Sequence, residues 1–201
     1  MKGKVILTSF GLTTRVGCEL LGTELKKDGD FSDKVIYLFY EPYNLLDEMF
    51  MRSCQKIGFQ NKNILVSHKD AWPEDRKIDY VFVGEGNTFE SMRLLRDKGL
   101  FDSIRKACLE GGATYLGASA GAIIAGKNIS CARLFDKEEV RLEEWEKEGL
   151  GLVEGIIFPH VKDLDELSGI DLTPLLHADG RGSLTPHAIA NDGILTFPGR
   201  E

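Results

Sequence analysis

The sequence predicts an α/β fold, a three-layer α/β/α sandwich around a central, mostly parallel sheet. Two observations carry this. Short apolar runs alternate with helix-length segments through the first two thirds of the chain, and those runs are almost uninterrupted by polar residues. A strand that is apolar along its whole length is buried on both faces. Connections of helix length between such strands make them parallel.

VILTSF (5–10) is the first strand, followed by a helical stretch near 16–28. KVIYLFY (34–40) precedes a segment in which Leu45, Leu46, Met49, Phe50, Ser53, Cys54 and Ile57 share one helical face. NILVS (63–67) and YVFVG (80–84) are β-rich runs bounded by polar residues. FESMRLLRDKG (89–99) and FDSIRKACLEGG (101–112) are helical, the second closed by glycines suited to a C-cap. ATYLGAS (113–119) is the next strand, and AGAIIAG (120–126) begins the helix after it. Beyond 128 the expected elements are a charged helix over 137–148, a strand at 152–158, and short strands near 187–190 and 194–197. With no repeat and no low-complexity linker, residues 1–201 are expected to form one domain.

Bulk properties narrow the function classes. Hydrophobic residues make up 42% and charged residues 28%, as in a folded globular chain. The formal net charge is −7, from 25 Lys and Arg against 32 Asp and Glu, and no basic tract exists to neutralise phosphates. Nucleic acid is therefore not an expected partner. No apolar run approaches the roughly 20 residues of a membrane span, and Val5-Ile6-Leu7 is too short for the core of a signal peptide. A cytoplasmic location is expected. The four cysteines, Cys18, Cys54, Cys108 and Cys131, are widely spaced with no CxxC, so they are read as free thiols without a metal site.

Ligands of an open parallel sheet bind beyond the carboxyl ends of its strands. Three places meet that condition. Gly117-Ala118-Ser119-Ala120-Gly121 fits the G-x-S-x-G pattern of a nucleophile elbow, a strand-to-helix turn that exposes a serine hydroxyl. The Ala120 N–H, next after the serine, is a natural oxyanion donor. The same five residues also suit a packing turn or an anion-binding turn with no chemistry. Val83-Gly84-Glu85-Gly86-Asn87-Thr88-Phe89 ends another strand and opens a helix, with Asn87 and Glu90 spaced as a capping box. Gly86 can turn its N–H outward as a second oxyanion donor, and Asn87 and Thr88 beside it are candidate substrate-binding residues. Phe158-Pro159-His160 ends a third strand, which favours His160 over His68, His177 and His187 as general base. Asp192 is the chosen third member, with Asn191 as the alternative. Asp136, Asp163, Asp165 and Asp179 are competitors that spacing does not separate.

VGEGNTF, YLGASAGAIIAG, the FPH histidine and the final acid-Gly turn together resemble the peptidase E family of serine dipeptidases, relatives of the cyanophycinases. The resemblance implies a flavodoxin-like or class I glutamine-amidotransferase-like sheet and a metal-independent serine hydrolase that needs no cofactor. Carried over, Ser119 is the nucleophile, His160 the base, and Gly86 and Ala120 the oxyanion donors, with Asp192 where the family's Glu orients the histidine. The expected partner is a small peptide substrate, with no nucleic acid and no membrane, and a homodimer is compatible. Peptidase E proper binds an N-terminal Asp through arginines after the histidine, whereas VKDLDELSGIDLTPLLHADG (161–180) is acidic and has none, Lys162 and Arg181 being the nearest cations. The alternatives are an esterase or acyl-transfer enzyme using the same serine, an α/β-hydrolase esterase in Ser…acid…His order assembled from Ser119, Asp163 or Asp179, and His187, and a non-catalytic small-molecule binding protein on the same fold.

Overall fold

The computed structural model describes residues 3–40, 47–136, 143–177 and 182–199. In chain order the elements are β1 (Lys4–Thr8), α1 (Arg15–Leu25), β2 (Ile36–Phe39), α2 (Asp47–Ile57), β3 (Ile64–Val66), β4 (Tyr80–Val83), α3 (Thr88–Asp97), α4 (Leu100–Leu109), β5 (Thr114–Ala118), α5 (Ala120–Ala125), β6 (Ile156–Pro159), α6 (Thr173–Leu176), β7 (Pro186–Ile189) and β8 (Ile194–Pro198). Six strands form the central sheet in the order β3-β2-β4-β5-β1-β8, parallel except for β8. This is the expected three-layer α/β/α sandwich.

The period-two geometry of a strand explains the two-sided core. Val5, Leu7, Tyr37, Phe39, Val81, Val83 and Tyr115 point to one face, where α3, α4 and α5 cover them. Ile6, Ile36, Leu38, Tyr80, Phe82, Leu116 and Ala118 point to the other, against α1 and α2. Side-chain caps fix the starts of α1 and α3. The Thr14 hydroxyl caps α1 by accepting from Gly17 N at 3.0 Å, and Asn87 Oδ1 caps α3 by accepting from Glu90 N at 3.0 Å. On α2, Phe50, Ser53 and Cys54 face the core as expected, but Met49 is exposed; Leu45 and Leu46 lie outside the described residues.

The last third departs from the expected order. Residues 137–142 of the anticipated charged helix lie outside the described residues, and Glu144–Lys147 form a short 3₁₀ turn. The strand expected at 152–158 begins only at Ile156. Leu152 and Val153 instead donate their N–H groups to Ala125 O at 2.9 and 3.1 Å, closing the end of α5. β6 and β7 pair with each other in a parallel ribbon outside the central sheet, with Ile156 opposite Pro186 and Pro159 opposite Ile189. Ile156, Ile157 and Phe158 join the core on the α5 side, so the ribbon packs onto that face.

At the far end of the sheet, the Asp47 carboxylate accepts from Tyr40 Oη, Lys69 Nζ and His68 Nε2, the last at 3.1 Å. Burial opposes its charge, but these donors outweigh it and hold its pKa at about 2. Tyr40 is itself buried and stacked on Phe50. Asp47→Ala leaves that phenol without its acceptor, and urea unfolding at pH 7 is expected to show a loss of about 1–3 kcal/mol. A depressed native pKa stabilises the fold above the unfolded value of about 3.9. That contribution fades as pH falls toward the native value of about 2. The Ala variant should therefore lose less stability than wild type across that acid interval.

Candidate active site

Ser119 sits between β5 and α5 with φ 51° and ψ −108°, a backbone conformation that a residue with a Cβ seldom adopts. Such strain costs on the order of 1–3 kcal/mol and persists only where neighbours over-determine it. Here they do. Ser119 N donates to Thr8 O of β1 at 3.0 Å, while Ser119 O accepts from Ala122 N and Ile123 N at 2.9 and 3.1 Å. Gly121 N donates to Gly84 O at 3.1 Å, tying the elbow to the loop after β4. Gly121 is required by close approach, because a Cβ there would lie 1.9 Å from Val83 O. Gly117 has a similar constraint, its Cβ meeting Gly121 O at 2.7 Å. The buried Tyr115 hydroxyl donates to Gly121 O at 2.8 Å and fixes the far side of the turn.

His160 comes from the end of β6, also at positive φ (62°), and its Nε2 lies 2.9 Å from Ser119 Oγ. On its other side, Nδ1 lies 2.9 Å from Asn191 Oδ1. The amide oxygen can only accept, so Nδ1 carries the proton and Nε2 presents a lone pair to the serine hydroxyl. That is the tautomer a general base needs.

Asn191, rather than Asp192, is therefore the group placed on the histidine. The register explains the one-residue displacement. β7 ends at Ile189, opposite Pro159, and Gly193 N donates to Ala190 O at 2.9 Å, closing a turn around Asn191 and Asp192. Asn191, the first of the two, lies beside the histidine one position past Pro159. Asp192 is exposed and makes no described hydrogen bond or ion pair.

The two oxyanion candidates lie in the loop after β4 and at the first position of α5. Gly86 is exposed at φ 146°, and among the described residues its N–H has no acceptor. Ala120 is the first residue of α5, so its N–H has no acceptor one turn back in the helix. The two substrate-binding candidates are occupied otherwise. The Asn87 side chain caps α3, and Thr88 is buried with its N–H donating to Asp136 Oδ2 at 2.9 Å. Asp136, one of the competing acids, thus serves the N-terminus of α3. His187, the base of the esterase alternative, lies in β7 with its ring against Phe197. Among the described residues, no group of three or more His, Cys, Asp and Glu side chains is placed to hold a metal ion.

Sequence reasoning passed over two further participants. Glu85 Oε1 accepts from Gly11 N at 2.7 Å and from Thr13 Oγ1 at 2.8 Å, clamping the loop after β4 to the loop after β1. Ser9, fully buried, contacts both the His160 backbone and the end of β7. The strand-end rule that found Ser119 would have found Ser9 had β1 been ended at Thr8 rather than at residue 10.

Residues 47–175 match the family model described as Peptidase family S51. The chain belongs to this family. It is 30% identical over 116 residues to an uncharacterized peptidase of Listeria innocua, a match spanning 58% of this chain and 54% of that protein. A Drosophila melanogaster protein named as a probable alpha-aspartyl dipeptidase is 43% identical over 54 residues, 27% of this chain and 22% of that one. The chain thus aligns with about half or less of the length of these relatives. Among solved structures, a Listeria monocytogenes EGD-e protein provisionally assigned as peptidase E superposes with a TM-score of 0.67 at 20% identity, covering 100% of this chain and 96% of that one. That likeness establishes the shared fold, and the S51 match supports the resemblance to peptidase E.

Asn191→Ala should slow phosphonylation of Ser119 by a fluorophosphonate by about 10²-fold, because a misoriented base costs that much. Asp192→Ala should stay within about twofold of wild type, as an exposed side chain with no described partner. Labelling time courses on the folded proteins separate the two positions.

Proposed function

We propose that this S51 chain is a serine peptidase acting on small peptides, dipeptides among them, through an acyl-enzyme on Ser119. The observation that carries the reading is the 2.9 Å contact between Ser119 Oγ, on its strained elbow, and His160 Nε2. A serine hydroxyl is a weak nucleophile until a positioned base can take its proton.

In the first half-reaction Ser119 Oγ attacks the scissile carbonyl carbon while His160 Nε2 takes the hydroxyl proton. The carbonyl oxygen, now an anion, lies toward the Gly86 and Ala120 N–H groups, and one such donor is typically worth about 10²–10³ in kcat. The C–N bond then breaks, and His160 returns the proton to the departing amine. Water attacks the ester with His160 again as base, and the free acid leaves as Ser119 regains its proton. Asn191 keeps the imidazole in one tautomer throughout without adding a negative charge. A His oriented by Asn recurs in papain-like enzymes.

For the substrate, local charge favours peptides whose N-terminal residue is not acidic. Within 161–177 the only Lys or Arg is Lys162, among Asp163, Asp165, Glu166 and Asp171, and no arginine is present to take a carboxylate bidentately. This separates the proposal from the alpha-aspartyl dipeptidase named among the relatives.

A panel of dipeptides varied at the N-terminal residue tests both parts. Wild type should cleave neutral and basic N-terminal residues ahead of Asp, and Ser119→Ala should abolish turnover. Turnover surviving in Ser119→Ala would overturn the mechanism. Cleavage confined to N-terminal Asp would overturn the specificity. Hydrolysis of p-nitrophenyl esters with none of any dipeptide would replace the peptidase with an esterase.

A further inference from the structure

We propose that Ser9 is a positioning residue that sets the geometry between Ser119 and His160 through the histidine's backbone. The inference rests on the reading of Ser119 and His160 as nucleophile and base.

Ser9 follows β1 and is fully buried. Its hydroxyl accepts from His160 N at 2.8 Å and donates to Ile189 O at 2.8 Å. A hydroxyl has one hydrogen, so the donation to Ile189 directs its lone pairs toward the His160 N–H. His160 stands at φ 62°, where a residue with a Cβ needs external support, and the Ser9 contact supplies it. Ile189 lies two residues before Asn191, so the same hydroxyl also anchors the segment that carries the histidine's orienting amide.

The neighbours of Ser9 act on the same pair. Thr8 O accepts from Ser119 N at 3.0 Å, and the Phe10 ring meets the His160 imidazole edge-on, with centroids 5.3 Å apart. Three consecutive residues thus hold the nucleophile's backbone, the base's backbone and the base's ring. Thr8 acts through its carbonyl and Phe10 through a large ring, so Ser9 is the one whose contribution a single-atom change removes. The bland alternative is that Ser9 only satisfies two buried backbone groups, which would affect stability and leave the reactivity of folded molecules unchanged.

Fluorophosphonate labelling separates the two. In that step the Ser119 Oγ–P bond forms, fluoride leaves, and the hydroxyl proton passes to His160. The rate constant reports geometry, and the end point reports the fraction folded. For Ser9→Ala the expected result is a rate constant lower by about 10²-fold, the cost of a small misplacement of reacting groups, with an end point close to wild type. Ser9→Thr, which keeps the hydroxyl, should recover most of the rate. A wild-type rate constant in Ser9→Ala, whether or not its melting temperature falls, would overturn the proposal. Should Ser9→Ala not accumulate as folded protein, Ser9→Cys gives the same readout with a weak donor and acceptor of similar size. Failure of wild type itself to label would count against the peptidase reading instead. In that case Ser9 is judged by the ¹⁵N imidazole resonances of His160, which should shift in Ser9→Ala and whose constancy would sink the proposal.

Discussion

The site depends on one unfavourable backbone conformation, that of Ser119. At φ 51° and ψ −108° the residue would relax if its surroundings allowed. The N–H is held by Thr8 O, the carbonyl by the first turn of α5, and the following turn by Gly84 and Tyr115. These contacts come from β1, β4 and β5, three adjacent parallel strands of the six-stranded sheet. Their extended apolar faces are what the two-sided core rewards. Hydrophobic burial thus underwrites a local strain that serves the surface.

The second half of the site arrives from a different sheet. His160 and Asn191 ride on the β6–β7 ribbon, whose register sets one beside the other. The charge pattern of the proposed triad is unusual. The group on the histidine is a neutral amide, and Glu85, a carboxylate on the loop between β4 and the Gly86 turn, is used to fasten loops together. An amide fixes orientation and tautomer but gives the imidazolium no full counter-charge. In the proposed mechanism this amide therefore supplies orientation and tautomer rather than charge.

The central sheet was legible because its signals are local. Val81, Val83, Phe82 and their counterparts announce two-sided burial by composition alone, and Gly117 and Gly121 mark the elbow by spacing. Asn191 was harder to separate from Asp192, because the choice turns on where β7 ends, and a one-residue error in a strand end reassigns every side chain after it. Thr88 showed how an expected contact can be inverted. It sits in the right loop, yet packing buries it and its N–H goes to Asp136. Ser9 and Glu85 were missed because each acts across more than seventy residues of chain, onto His160 or Gly11. No periodicity records such a pairing.

The division between sheet and ribbon has a mechanical corollary. The His160–Asn191 pair lies wholly within the ribbon and its closing turn, whereas the Ser119–His160 contact crosses from ribbon to sheet. Ser9, Cys131 and the buried side chains of Ile156, Ile157 and Phe158 fasten that ribbon to the rest of the fold, so the spacing across the Ser119–His160 contact is held by the core itself.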